Sequence, residues 1–429
     1  MCGILLAPSR YSEDRIDTAM LLMGHRGDGE LGHKMAKSFG GWTIAHVRLA
    51  IQDRTEEANQ PFEDKYGIFA FVGEFFNHQE GERKHLLDAL CDPGVFHWTD
   101  GFWAAAAVNS HGARVYTDHL GIKPVYYWPQ HNIFCSEIEP MFALEPRPAF
   151  DEVYLSNCIK WGYDYSGRTP YQGIFQMAAG THISVSNDGD MFENRYWDWT
   201  RVHHESLYEA VMAAVNNRLI GERPVALLLS GGLDSSIIYY ILQLLGTQVE
   251  AFSVENGESE FLPPEVTILN MPEVAISEAV GIMQAPLDLG SLVPQVQLAR
   301  AVSAAGYHVC MTGDGADEVF GGYRRAKDYD SQASDVFCEL PYYHLPRLDR
   351  VMMKETIELR SPYLSPRVIA YGLSLPWSHR TEKQALKAAF KGLVPDRIIN
   401  RPKHPLKTQA VITGGIEYRR QLVQAFKGE

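Results

Sequence analysis

Two glycine-rich stretches carry residue types that can handle a phosphate and its cation. The first reads Leu227-Leu228-Leu229-Ser230-Gly231-Gly232-Leu233-Asp234-Ser235-Ser236-Ile237-Ile238. The apolar run Val225 to Leu229 predicts a buried strand, and the apolar segment from Ile237 to Leu245 has helical length. Strand, glycine turn and helix start make an anion cradle. Gly231 and Gly232 let the backbone approach a ligand, and the new helix aims unpaired N–H groups at it. Ser230, Ser235 and Ser236 add hydroxyl donors, and Asp234 is placed to hold magnesium between phosphates. No lysine follows the second glycine, so this is not the GxxxxGK[ST] loop. The second stretch, Thr312-Gly313-Asp314-Gly315-Ala316-Asp317-Glu318-Val319-Phe320-Gly321-Gly322-Tyr323, follows a strand over Tyr307 to Thr312. Its clustered carboxylates repel one another unless a cation sits among them, which points to a magnesium site with Asp317 facing Asp234.

The N-terminus offers a different chemistry. A small residue after Met1 lets the initiator be removed, so Cys2 would carry both a thiol and a free α-amine. That amine, with a pKa of about 8, can act as the base for its own thiol. Arg48 lies within the apolar segment Ala45 to Ile51, and an arginine fork suits a substrate carboxylate. Gly73 interrupts another apolar segment, Phe69 to His78.

Different elements must position these two sets. Around Cys2 the expected pieces are short strands: Ala45–Ile51, Phe69–His78, 100–105, a hairpin of 114–118 with 124–128 around Leu120-Gly121, and closing strands at 180–185 and 195–197. Around Ser230 they alternate. Strands at 249–254, 266–269 and 307–312 are separated by helical segments at 274–283 and 292–305. That order predicts a parallel sheet with helices on both faces and ligands at the carboxyl ends of its strands. A helix from Ser206 to Leu219 has Leu207, Val211, Val215 and Leu219 on one face and Arg218 on the polar side. The polar stretch Trp199 to Glu205 is the expected linker, between domains over 1–200 and 201–429.

The N-terminal segments Cys2-Gly3-Ile4, His25-Arg26-Gly27, Arg48-Leu49-Ala50-Ile51, Gly73-Glu74, Asp100-Gly101 and Asp118 to Tyr127 together resemble the class II glutamine amidotransferase domain. The resemblance implies the α+β, αββα architecture of N-terminal nucleophile enzymes. It implies that Cys2 attacks the glutamine amide, that the Gly73 N–H helps hold the oxyanion, that Arg48 takes the glutamine carboxylate and that Glu74 and Asp100 take its α-amine. The Ser230–Ser236 loop resembles that of ATP pyrophosphatases. Together with Gly313–Tyr323, Glu358-Leu359-Arg360-Ser361-Pro362-Tyr363-Leu364, Glu382-Lys383 and Arg401-Pro402-Lys403 it resembles asparagine synthetases, in that family's order along nearly the whole chain. This implies an α/β ATP-pyrophosphatase half. Leu229, Ser230, Gly231, Gly232, Leu233, Asp234, Ser235, Ser236, Thr312, Gly313 and Lys383 would hold ATP and pyrophosphate. Asp234 and Asp317 would hold magnesium, and Asp314 and Lys403 would act at the acyl-adenylate. Adenylation of a carboxylate, aspartate first among them, and its capture by ammonia from glutamine would follow.

Three departures qualify the resemblance. Val72 stands where the family has an asparagine that donates to the oxyanion, with Asn77 as the alternative donor nearby. The family's proline is missing after His25-Arg26-Gly27, and Ser365 replaces the aspartate after Pro362-Tyr363-Leu364. The chain is also shorter than the family between Phe252 and Tyr307 and after Lys403, where an aspartate pocket would be completed. Amide formation on another carboxylate, and a non-catalytic nucleotide-binding protein, therefore stay open beside asparagine synthesis.

Composition excludes other classes. A formal net charge of −14 over 429 residues argues against a general nucleic-acid or membrane binder. From His379 to Glu429 the balance reverses, with eleven Lys/Arg against four Asp/Glu, a basic segment suited to an anionic substrate such as ATP. No apolar run reaches the ~18 residues of a membrane helix. Six cysteines without CxxC spacing read as reduced thiols of a cytoplasmic protein. The expected partners are small molecules, and a homodimer is compatible with this reading.

Overall fold

A computed structural model describes residues 2–28, 34–78, 80–197, 206–255, 259–270, 274–288, 290–323, 328, 337–401 and 415–428. Among the described residues, twelve strands build the N-terminal half: β1 (Gly3–Pro8), β2 (Lys34–Phe39), β3 (Trp42–Val47), β4 (Phe62–Asp64), β5 (Gly67–Phe75), β6 (Gly101–Asn109), β7 (Gly112–Thr117), β8 (Tyr126–Trp128), β9 (Ile133–Cys135), β10 (Phe175–Gln176), β11 (Thr181–Ser186) and β12 (Met191–Arg195). They form two sheets, ordered β10-β8-β9-β1-β3-β2 and β12-β11-β7-β6-β5-β4. Every pairing in both is antiparallel.

Period-two alternation decides how these sheets stack. Cys2, Ile4 and Leu6 join Ile68, Ala70 and Val72 in the layer between the sheets. Leu5 and Ala7 turn the other way, onto Ile16, Ala19 and Met20 of the helix Glu13–Leu22. Phe69, Phe71 and Phe75 turn outward onto Leu86 and Ala89 of the helix Glu82–Cys91. The result is helix, sheet, sheet, helix, as expected of an αββα fold. Gly73 passes so close to the Phe102 carbonyl, at φ +92°, that a Cβ would overlap it. Only glycine fits there without parting β5 from β6.

The expected hairpin of 114–118 with 124–128 does not form. β7 lies in one sheet and β8 in the other. The reason is Asp118. Its carboxylate accepts the N–H groups of Leu120 (2.9 Å), Ile122 (3.0 Å), Lys123 (3.1 Å) and Trp103 (3.1 Å), so the intervening segment is pinned as a crossover instead of a tight turn.

The C-terminal half contains β13 (Val225–Leu228), β14 (Ala251–Val254), β15 (Thr267–Leu269), β16 (Val309–Met311) and β17 (Glu358–Arg360). They form one sheet in the order β15-β14-β13-β16-β17, with every pairing parallel. The order reverses between β13 and β16, and ligands of open α/β sheets bind at such a reversal. The helix Leu207–Asn217 leads into β13 and starts with a capping box of Ser206 and Glu209. The helix Leu233–Leu244 leaves β13. Among the described residues no helix is long and apolar enough to cross a membrane.

The two halves share one core. Leu49, Ile51, Phe76, Phe102, Leu120 and Ile122 lie in the same buried cluster as Leu227, Ile237, Met311 and Leu364. The last helix, Ile416–Lys427, returns to the N-terminal half, where Phe426 packs on Phe150 and Tyr171 and Lys427 pairs with Glu152 at 3.0 Å.

Candidate active site

β13 and β16 are neighbours, so their carboxyl ends bring the two glycine-rich stretches together. The approach is close. A Cβ on Gly313 would lie 2.8 Å from the Ser235 nitrogen and 3.0 Å from the Asp234 Cβ. Gly231 turns at φ +74°. Gly232 then caps the helix, its N–H donating to Ser230 Oγ at 3.3 Å, while the Ser230 N–H donates to Ser235 Oγ at 3.2 Å. Leu229 and Ser236 are buried beneath this turn, Leu233 opens the helix, and Asp234 occupies its first turn.

Asp234 and Asp317 meet at Lys383. Its ammonium donates to Asp234 Oδ2 and lies 2.6 Å from Asp317 Oδ1. Burial alone would lower the Lys383 pKa, but the two carboxylates outweigh it and hold the ammonium above its ordinary range. A cation already standing between these oxygens shows that the pair suits a positive charge. Among the described residues no group of three or more His, Cys, Asp or Glu could hold a metal by itself. Two carboxylates completed by substrate phosphates are the usual magnesium arrangement. Asp314 stands beside this pair. It accepts from Thr312 Oγ1 at 2.5 Å and from Arg347 Nη2 at 2.8 Å, and Ser361 Oγ donates to its carbonyl. Arg401 donates to the Gly231 carbonyl at 2.6 Å. Lys403 lies outside the described residues.

In the N-terminal half, Cys2 Sγ sits 3.5 Å from the Leu49 nitrogen. Burial pushes its pKa up to about 11, with the N-terminal amine and the Leu49 backbone pulling down. It rests as a thiol and needs a base, and the α-amine that removal of Met1 would leave on Cys2 is the expected one. Arg48 is buried, and three of its N–H groups are spent on the Thr55 carbonyl (2.8 Å), Asn59 Oδ1 (2.6 Å) and the Asp53 carbonyl. Of the five donors of a guanidinium this leaves two for a carboxylate. Glu74 shares the Cys2 face of β5 and influences the thiol. Its own pKa is pushed up to about 8 by burial and then by Glu358, against Arg360 and Gln52.

Asp100, on the same face as Glu74, is bonded from the other half. Arg218 grips it with two bonds, Nη2 to Oδ1 at 2.9 Å and Nη1 to Oδ2 at 3.2 Å, and Ser365 Oγ donates to Oδ2 at 3.0 Å. Arg218 is accordingly not on a polar face; it is 0% exposed, stacked over Phe76 and Phe102. Asn77 turns its side-chain oxygen to the Asp100 N–H at 2.8 Å. Arg360 is also 0% exposed, donating to the carbonyls of Arg218 and Ile220 at 2.7 Å each while Nη2 lies 3.8 Å from Glu74. Sequence reading passed over Arg347 and misplaced Arg218.

Replacing Arg218 with methionine strands a buried carboxylate. We expect a loss of about 3–5 kcal/mol, read from the urea midpoint. Adding Asp100→Asn should recover much of it. A single variant within about 0.5 kcal/mol of the unmodified chain would contradict the importance of this pair.

Comparison with known proteins identifies both halves. The family model Glutamine amidotransferase domain matches residues 1–89 and 85–197, and Asparagine synthase matches 206–340 and 331–419. Amidase chyE of Penicillium rubens is 26% identical over 86% of this chain, which spans 62% of that protein. A probable asparagine synthetase [glutamine-hydrolyzing] of Acanthamoeba polyphaga mimivirus is 24% identical over 98% of this chain and 88% of its own length. Amidase chry2 of Gibberella zeae is 22% identical over 99% and 71% respectively. With an antiparallel amidotransferase sandwich in front of a parallel-sheet synthase half, the chain belongs to the asparagine synthase family.

Proposed function

We propose that the protein is an ATP-dependent amide synthetase. It adenylates a carboxylate and lets ammonia displace AMP, leaving pyrophosphate and an amide. The observation that carries this reading is the convergence of Asp234 and Asp317 on one cation position where the sheet order reverses. Pyrophosphate rests on Ser230 to Ser236, with Thr312, Gly313 and Lys383 around it. Magnesium held by Asp234 and Asp317 supplies charge neutralisation of the phosphates. Asp314, fixed by Thr312 and Arg347, faces the reacting carboxyl, and Lys403 steadies the adenylate. Ammonia reaches this point from the Cys2 half. Phe102, Ile122 and Lys123 of that half line an internal cavity with Thr312, Leu359 and Ser361, large enough for about one water-sized molecule.

Aspartate is the first acceptor to test. A different carboxylate is the second reading, favoured by the relatives named amidases, which match at similar identity to the asparagine synthetases. ATP–pyrophosphate exchange across a panel of carboxylic acids decides between them. We expect magnesium-dependent exchange with one acid and background with the rest. Tight ATP binding without exchange on any acid would make the protein a non-catalytic nucleotide binder.

A further inference from the structure

Between Asp234 and Asp317 the chain itself supplies a cation. Lys383 is 7% exposed, and its ammonium reaches both carboxylates. An unusual backbone puts it there. Glu382 and Lys383 are consecutive left-handed residues, at φ +53° and +61°. Such conformations in residues with side chains persist only where the surroundings enforce them. Two backbone bonds do so here: the Glu382 N–H donates to the Gly321 carbonyl at 2.9 Å and the Lys383 N–H to the Phe320 carbonyl at 3.1 Å. The turn that carries the lysine is thus tied to the segment that carries Asp317. Gly322 closes the arrangement. Any side chain there would overlap both the Asp317 carboxylate and the Lys383 Cε.

We propose that the Lys383 ammonium is an internal stand-in for the divalent cation, so that magnesium enters between Asp234 and Asp317 only together with a nucleotide whose phosphates draw the ammonium away. The role of the nucleotide rests on the adenylating reading above; the position of the lysine does not. A free divalent ion would have to displace a cation already bonded to both carboxylates. Phosphate oxygens offer that ammonium another partner and release the pair. Metal and nucleotide then strengthen each other's binding by the same factor.

Manganese alone is the probe, titrated into the nucleotide-free full chain and followed by loss of the free-ion paramagnetic resonance signal. Lys383→Met should bind one Mn²⁺ at least about tenfold tighter than the unmodified chain. Lys383→Arg, which keeps a cation, should not. Adding Asp317→Asn to Lys383→Met should abolish the gain. Equal affinity in the unmodified chain and Lys383→Met overturns the proposal, whether both bind tightly or neither does. Lys383→Gln serves if the methionine variant fails to fold by circular dichroism. Failure of both to fold at any Mn²⁺ concentration also counts against it, since the ion was to replace the ammonium. Pyrophosphate exchange by the unmodified chain reports on adenylation alone. Exchange without the manganese gain defeats only this inference, and the gain without exchange defeats only the adenylation reading.

Discussion

Ammonium at saturation should support amide formation faster than glutamine, because glutamine hydrolysis here lacks an oxyanion donor and should run about 10²–10³ below a site with both. Val72 lies in the same inter-sheet layer as Cys2, where its side chain is 1% exposed and wholly apolar. A tetrahedral intermediate on Cys2 would have the Gly73 N–H but no side-chain amide from position 72. The structure adds a second deficit. Asp100, expected to help hold the α-amine, is gripped by Arg218 and Ser365 instead. Arg48 and Glu74 remain, so glutamine should still bind, weakly, and turn over slowly. Ammonium bypasses both losses. Val72→Asn should raise glutaminase activity toward that of a site with both donors if the pocket accepts the amide. Steady-state rates with each nitrogen donor decide the matter, and glutamine matching or beating ammonium in the unmodified chain would sink the idea.

Asp317→Asn should cut magnesium-dependent pyrophosphate release by about three powers of ten, the equivalent of roughly 4 kcal/mol. The substitution keeps the shape and removes the charge. The remaining acid, Asp234, would be the only carboxylate of the pair left to the incoming metal, which loses one charged oxygen ligand. Asp234→Asn should do the same from the other side of the pair. The fold should survive, because Lys383 keeps one carboxylate partner in either variant. Circular dichroism beside the release assay separates lost chemistry from lost structure. Full turnover in either folded variant would mean the metal sits elsewhere.

The parts of the site that could be read from sequence are those built by local chain. Ser230 to Ser236 and Thr312 to Asp317 each follow a buried strand directly, so strand, glycine and acid imply their own geometry. Adjacent strands then do the rest, and Asp234 meets Asp317 as expected. What could not be read depends on distant partners. Asp100 and Arg218 are 118 positions apart, and nothing in either neighbourhood announces the other. Cys2, Val72 and Glu74 fall on one face because two different strands alternate in phase, whereas Asp100 precedes β6 and is bonded by an arginine from the other half. β17 is only three residues long, too short to show a period, yet it completes the parallel sheet and carries Arg360. The supposed hairpin failed for a related reason: four N–H groups collected by Asp118 are invisible to turn propensity.

The core common to both halves bears on how such a protein can be rebuilt. Large hydrophobic contacts between domains suppress their independent movement and their independent stability. Leu49, Ile51, Phe76, Phe102, Leu120 and Ile122 would become a bare apolar patch if the N-terminal half were expressed alone. The synthase half would in turn present Arg218 without its acid, Asp100. Recombination between relatives therefore cannot treat the halves as interchangeable cassettes. A chimera that swaps one must also import the opposing side of the seam, down to the pairing of residue 100 with residues 218 and 365, or trade a working enzyme for an insoluble one.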